Sequence, residues 1–328
     1  MATSNPQSGG SFVVSLDFEL FWGVHDKVSL ESWKERLIAT RQAIPELLEL
    51  FETYGIHATW ATVGFLFADG REELEAHLPD RRPGYERWEL SPYRKLERLG
   101  ASERDDPFHF APSLIERIRE TPGQELGTHT FSHYYCLEPG QHEDAWRADL
   151  RAADRLAEER GVELESLVFP RNQYTDAHVS ACAEEGIDTF RGNPDTWYYA
   201  PAGSDEESLL RRAFRLLDAH LPVAGAITHD LNSGRTGALN VPASRYLRPW
   251  TPVSAPFAGL RRRRIQRELS RAAERGECYH LWWHPHNFGA HTAENLDFLR
   301  SILDHVASLR RKKGLRCRTM AEMARVAQ

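Results

Sequence analysis

Short apolar, β-branched runs alternate along this chain with longer stretches of helical periodicity. Ser11 to Leu16 reads SFVVSL and predicts a buried strand. Leu30 to Tyr54 carries Leu37, Ala43, Ile44, Leu47, Leu48 and Phe51 at helical spacing, and Gly55 stops the run. Pro45 should kink this helix or split it, because its ring displaces a backbone hydrogen bond. His57 to Val63 predicts a second buried strand. Further strands are expected at Glu125 to Thr128, Ser166 to Phe169, Ile187 to Phe190, Cys278 to Trp283 and Leu315 to Thr319. Helices are expected at Ser113 to Glu120, Ala145 to Arg160, Asp176 to Glu185, Arg261 to Arg275 and Thr292 to Lys313, with a last short one at the C-terminus.

Two stretches break the pattern. Residues 67–112 are charged and proline-containing, and read as a partly helical insertion. Residues 191–262 hold seven prolines and read as long loops, with one helix near Asp205 to Ala219 and a strand near Val223 to Thr228. Elsewhere strand and helix alternate, which predicts an α/β fold with a parallel sheet covered by helices. Residues 1–328 are taken as a single unit carrying these two insertions. Four strands end in polar clusters: Asp17/Glu19, His129, Arg171/Asn172 and His284. In a parallel barrel all strand C-termini lie on one face, where sites form.

Composition narrows the partners. The 328 residues carry a net charge of −7, so nucleic acid is not a default partner. No run is long and apolar enough to span a membrane. The opening MATSNPQSGG has neither a basic nor an apolar segment of the secretory kind, so the expected location is cytoplasmic. The four cysteines are scattered and read as small buried hydrophobes. Nothing in the sequence speaks to oligomeric state.

The chemistry-bearing residues fall into four groups. His129 and His133, at i and i+4, suit one face of a helical turn and chelation of one divalent metal. Asp17 and Glu19, at i and i+2 of an extended chain, project to the same side. Two buried carboxylates repel each other unless a cation sits between them, so one reads as a ligand and the other as a free base. His280, Trp282 and His284 share one face of their strand; His280 reads as a core histidine, His284 as a proton donor at the strand end, and His286 fits either part. Arg171 at its strand end has the geometry to orient a carboxylate.

Taken in order, Ser15-Leu16-Asp17-Phe18-Glu19, His129-Thr130-Phe131-Ser132-His133, Phe169-Pro170-Arg171-Asn172, Asp195-Thr196-Trp197 and Leu281-Trp282-Trp283-His284 resemble the motifs of the polysaccharide deacetylases, carbohydrate esterase family four. The resemblance runs from about 12 to 320. It implies a distorted (β/α)-barrel of about seven parallel strands, one divalent metal, usually zinc, and removal of an N-acetyl (or O-acetyl) group from a carbohydrate. On that basis Glu19, His129 and His133 would hold the metal. Asp17 would be the base, oriented by Arg171, and His284 the acid; exchange of Asp17 and Glu19 is the alternative. Trp22, Asn172, Asp195 and Trp197 would contact the sugar, the two tryptophans by stacking. The chain departs from the family pattern in three places. Phe18 stands where a second Asp is usual, Pro170 precedes Arg171, and the fourth motif is loose. The expected substrate is an intracellular glycan precursor or exopolysaccharide intermediate. Two other readings keep the fold: a metal-free hydrolase of cyclic amides such as allantoin, and a carbohydrate-binding pseudoenzyme.

Overall fold

The computed structural model describes residues 9–220, 225–231 and 237–327. Among the described residues, nine strands form one sheet: β1 (Ser11–Phe18), β2 (Ala58–Thr62), β3 (Gln124–Thr128), β4 (Ser166–Val168), β5 (Thr189–Arg191), β6 (Leu239–Asn240), β7 (Arg245–Tyr246), β8 (Cys278–Trp283) and β9 (Arg316–Arg318). The helices between them are α1 (Leu30–Tyr54), α2 (Arg71–Ala76), α3 (Pro112–Glu120), α4 (Glu143–Glu159), α5 (Asp176–Glu184), α6 (Leu209–His220), α7 (Ala258–Arg275), α8 (Thr292–Lys313) and α9 (Met320–Val326).

Strand order is β6-β5-β4-β3-β2-β1-β8-β7, and every pairing is parallel. β1 is buried along its whole length, which explains its unbroken apolar run. Its first half pairs with β9 and its second half with β2, so these two short strands share one edge of β1. β8 lies along the other edge, with Ser11 opposite Cys278 and Leu16 opposite Trp283.

The segment 239–246 joins the two ends of the sheet. The Val241 and Ala243 amides donate to the Phe190 and Gly192 carbonyls, each at 2.9 Å, beside β5. The Ser244 amide then donates to the His280 carbonyl at 2.8 Å, beside β8. The sheet therefore curls into a distorted α/β barrel, with β6 and β7 as two halves of one bent crossing. Loops were expected here; the closing strands are too short to show a two-residue period.

Trp60, Trp146 and Trp283 are fully buried. Trp283 faces outward to stack on Phe288 and meet Phe51 of α1 edge-on, while its neighbour Trp282 faces into the barrel. Such burial stabilises by about 1.5–3 kcal/mol per large apolar side chain. α1 is capped by Ser29 and by Gly55 at φ 57°, and runs as one 25-residue element through Pro45 rather than splitting. Residues 67–112, which include α2 and two 3₁₀ turns, send Leu74, Leu96, Leu99 and Phe110 into the main core. Of the strand expected at Val223 to Thr228, residues 223–224 lie outside the described residues, and 225–228 carry no strand. No helix among the described residues is long and apolar enough to cross a membrane.

Candidate metal centre

β1 delivers two carboxylates to the barrel's C-terminal mouth. Asp17 is inside its last turn of pairing, and Glu19 follows just before the chain reverses at Leu20 (φ 43°). Glu19 Oε2 lies 3.1 Å from His133 Nε2 and 3.4 Å from His129 Nε2. One ligand atom from each of the three falls within 4.8 Å of the others, and all three side chains are buried. His129 Nδ1 lies 2.8 Å from the Val168 carbonyl, which can only accept, so Nδ1 carries the proton and Nε2 offers its lone pair. Burial pulls the His133 imidazole down to about 4 against the opposing pull of Glu19, so it is neutral near pH 7. Burial alone would raise the Glu19 carboxyl; the charge of His284, with the imidazoles of His129 and His133 beside it, holds it well below its usual range instead. One carboxylate with two neutral imidazoles is the donor set of an open zinc site.

Gly23 makes room for this carboxylate. A Cβ built there would stand 1.9 Å from the Glu19 carboxyl carbon. Gly23→Ala should therefore push Glu19 aside and weaken divalent-metal binding by about 10- to 100-fold, the usual range when a ligand loses its support. Titration against a chromophoric chelator, with circular dichroism as the folding control, measures this. Unchanged affinity would remove Glu19 from the ligand set.

The two histidines do not share a helical turn. The chain from His129 to His133 is a loop that passes through the left-handed region at Thr130 (φ 66°) and again at His133 (φ 58°). Each such residue costs on the order of 1–3 kcal/mol. The surroundings hold the loop in place. Asp149 of α4 accepts from the Phe131 amide at 2.7 Å and from the Ser132 hydroxyl. Thr130 Oγ1 accepts from the Tyr134 amide at 2.7 Å.

Asp17 is gripped by Arg191, whose Nη1 and Nη2 donate to Oδ1 and Oδ2 at 2.7 and 2.8 Å. Burial would raise the Asp17 carboxyl, but Arg191 overrides it, and the carboxyl stays below its usual range. Arg191 also donates to Ser15 Oγ at 2.9 Å and to Asn172 Oδ1 at 3.3 Å, and lies over the Trp282 ring. The sequence pointed to Arg171 for this part. Arg171 instead pairs with Asp26, reaches Glu138 at 3.8 Å and stacks on Tyr135. Its backbone explains the difference: φ of 56° at Arg171 and 54° at Asn172 turns the chain off the β4 direction. Arg191 was legible by the same strand-end criterion, since it directly follows the expected strand Ile187 to Phe190.

His284 Nε2 lies 3.7 Å from both Asp17 Oδ2 and Glu19 Oε1. Its ring stacks on His286 at 4.8 Å. His286 is buried, and burial, with the charge of His284, holds it at about 3. His280 is fully buried and bonded at both nitrogens, to Val241 O and Ser15 Oγ, as a core histidine should be.

A cavity of about 500 Å³ opens beside His284, walled by Asn172, Asn193, Tyr199, Tyr246 and Trp282. Trp22 is not on it: its ring is fully buried against Phe65 and His109, with Nε1 donating to the His109 carbonyl. Asp195 and Trp197 are exposed and lie outside the lining. The aromatic wall is built by Tyr199, Tyr246 and Trp282 instead.

No protein-family model and no curated protein matches the sequence. Solved structures match over nearly the whole chain. A Mycobacterium smegmatis protein assigned as a polysaccharide deacetylase superposes with a TM-score of 0.62 at 14% identity, covering 100% of this chain and 92% of the other. A Pseudomonas aeruginosa PAO1 protein assigned the same way gives 0.58 at 11% identity, covering 97% and 91%. The PuuE allantoinase gives 0.56 at 13% identity, covering 98% and 93%. Over its full length the chain thus resembles the polysaccharide deacetylases in fold.

Proposed function

We propose that this chain is a metal-dependent hydrolase that removes an N-acetyl (or O-acetyl) group from a carbohydrate. The observation that carries the reading is the buried Glu19, His129 and His133 cluster standing beside an ion-paired Asp17, with His284 between it and the cavity. A divalent cation, zinc by its donor set, would be held by those three residues and would polarise an acyl oxygen and a water molecule. Asp17 is ionised at neutral pH and accepts a proton, while Arg191 fixes both of its oxygens. His284, the most exposed of the site's histidines at 24%, is placed to return a proton from Nε2 to the leaving group. Tyr246 and Trp282 offer flat faces to a pyranose ring.

The competing reading is cyclic-amide hydrolysis, favoured by the allantoinase match. The three-residue donor cluster supports the metal-dependent acyl reading over it. Acetate release from N-acetylated oligosaccharides should require loaded metal and stop on chelation, and allantoin should not be consumed. Turnover of allantoin by metal-free protein, with no acetate from any sugar, would overturn the proposal.

His284→Ala should keep the metal and lower amide turnover by about 10²- to 10⁴-fold, the range for one acid–base group. The loss should be smaller on an activated aryl ester, whose leaving group needs no proton. Equal losses on both substrates would tell against proton donation.

A further inference from the structure

The cavity beside His284 is lined by six arginines: Arg171, Arg212, Arg215, Arg245, Arg248 and Arg261. Among the described residues, its lining holds one acid, Glu207, and that is paired with Arg215 at 2.6 Å. Arg171 is neutralised by Asp26, and Arg245 by Glu268 at 2.6 Å. Among the described residues, Arg212, Arg248 and Arg261 have no carboxylate within 4.0 Å.

Arg261 is the most informative of the three. It is 6% exposed; its Nη1 donates to the backbone carbonyls of Arg248 and Pro249, its Nη2 makes a long bond of 3.4 Å to Ser254 Oγ, its guanidinium lies over the Phe298 ring, and its Nε has no partner among the described residues, so every group it meets is neutral. A buried cation without an opposing charge is costly, and Arg248 adds a like charge beside it. Burial and that repulsion both act against the Arg261 cation. An anion in the cavity relieves both.

We propose that this cavity binds the phosphate or diphosphate of a phosphorylated glycan, so that the substrate is a sugar carried on a phosphate ester. The inference rests on the hydrolase reading for the word substrate, and on the arginines alone for the anion. His284, Trp282 and Asn172 belong to both the cavity and the candidate centre, which sets the anion next to the sugar. Three uncompensated guanidiniums match a diphosphate better than a single carboxylate, and their planar forks suit phosphate oxygens. The positive charge is confined to a cavity of about 500 Å³ in a chain of net charge −7, which suits one small ligand and not a nucleic-acid duplex. Leu216 of α6 lines the cavity while 54% exposed, and Leu209 and Leu210 at the start of the same helix are 82% and 58% exposed. These exposed leucines on the helix that walls the cavity make a lipid-borne phosphate a source to test beside a nucleotide-borne one.

The test is calorimetric titration of metal-stripped, full-length protein, so that coordination of phosphate by metal contributes nothing. The probes are inorganic diphosphate, uridine diphosphate and farnesyl diphosphate, with glucuronate as the carboxylate control. At least one diphosphate should bind saturably. Arg248→Gln and Arg261→Gln should each weaken it by about 10-fold or more, the worth of a charge-assisted contact. Arg248 is half-buried and donates only one long bond, 3.5 Å to the Arg215 carbonyl, so its variant guards against a folding defect in the other. Tighter farnesyl than uridine diphosphate would support a lipid-linked substrate, and the reverse a nucleotide-linked one. No saturable binding, glucuronate binding as tightly, or affinity untouched by both substitutions would overturn the proposal. His129→Ala should leave diphosphate affinity unchanged. Arginine-dependent binding in a protein that releases no acetate would therefore sink the hydrolase reading alone, and acetate release without diphosphate binding would sink this inference alone.

Discussion

His129→Ala and His133→Ala are each expected to leave a folded protein that no longer retains a divalent ion, with hydrolysis falling to background. The reason is the small number of donors. Glu19 Oε2 sits 3.4 and 3.1 Å from the two Nε2 atoms, so removing either imidazole leaves two donors. His286 is the nearest possible substitute, its Nδ1 lying 3.5 Å from Glu19 Oε1, on the carboxylate's other oxygen. It is not among the residues whose ligand atoms converge. Folding should survive, because the loop is held by Asp149 and Thr130 rather than by the imidazoles. Elemental analysis after dialysis, read beside a thermal melt, checks this. Stoichiometric zinc in the double variant would remove both residues from the centre.

The second large effect concerns the Asp17–Arg191 pair. Asp17→Asn should keep the metal and lose at least about 10²-fold in rate, because the amide keeps the shape but cannot take a proton. It should also destabilise the fold, since Arg191 is then a fully buried cation without its counter-charge. Breaking one side of such a pair typically costs about 3–5 kcal/mol. Arg191→Gln should cost a similar amount from the other side, and would let the buried Asp17 carboxyl rise. The double variant Asp17→Asn/Arg191→Gln should be more stable than either single one, because no lone charge remains, yet stay inactive. Urea unfolding of all four proteins measures the coupling. If Asp17→Asn loses the metal while Glu19→Gln keeps it, the two carboxylates have exchanged roles.

Much of the barrel was legible because strands buried on both faces leave continuous apolar runs, as in β1, β2 and β8. The strand-end criterion brought Asp17, Glu19, His129 and His284 to one mouth, and their side chains do meet there. It failed where a partner depends on how a loop turns. Arg171 and Arg191 both stand at the ends of short strands, and nothing local says which guanidinium reaches Asp17. Trp22 reads the same whether its ring is walled in or open.

The sequence by itself determined the alternation of strands and helices, the place of the polar clusters, and the pairing of Asp17 with Glu19 on one side. These follow from backbone periods of 2 and 3.6, which are local properties. The tertiary structure alone decided three things. Positive φ at Thr130, His133 and Arg171 aims side chains in directions that no period encodes. Closure of the sheet by residues 239–246 depends on hydrogen bonds to β5 and β8, strands distant in the chain. The charge of the cavity depends on which arginines find carboxylates, and a net charge of −7 gave no hint of a pocket with three uncompensated guanidiniums. Ion pairing at these sites is set by distances of a few ångströms between residues far apart in the chain, 174 positions for Arg191 and Asp17, and such distances exist only once the chain has folded.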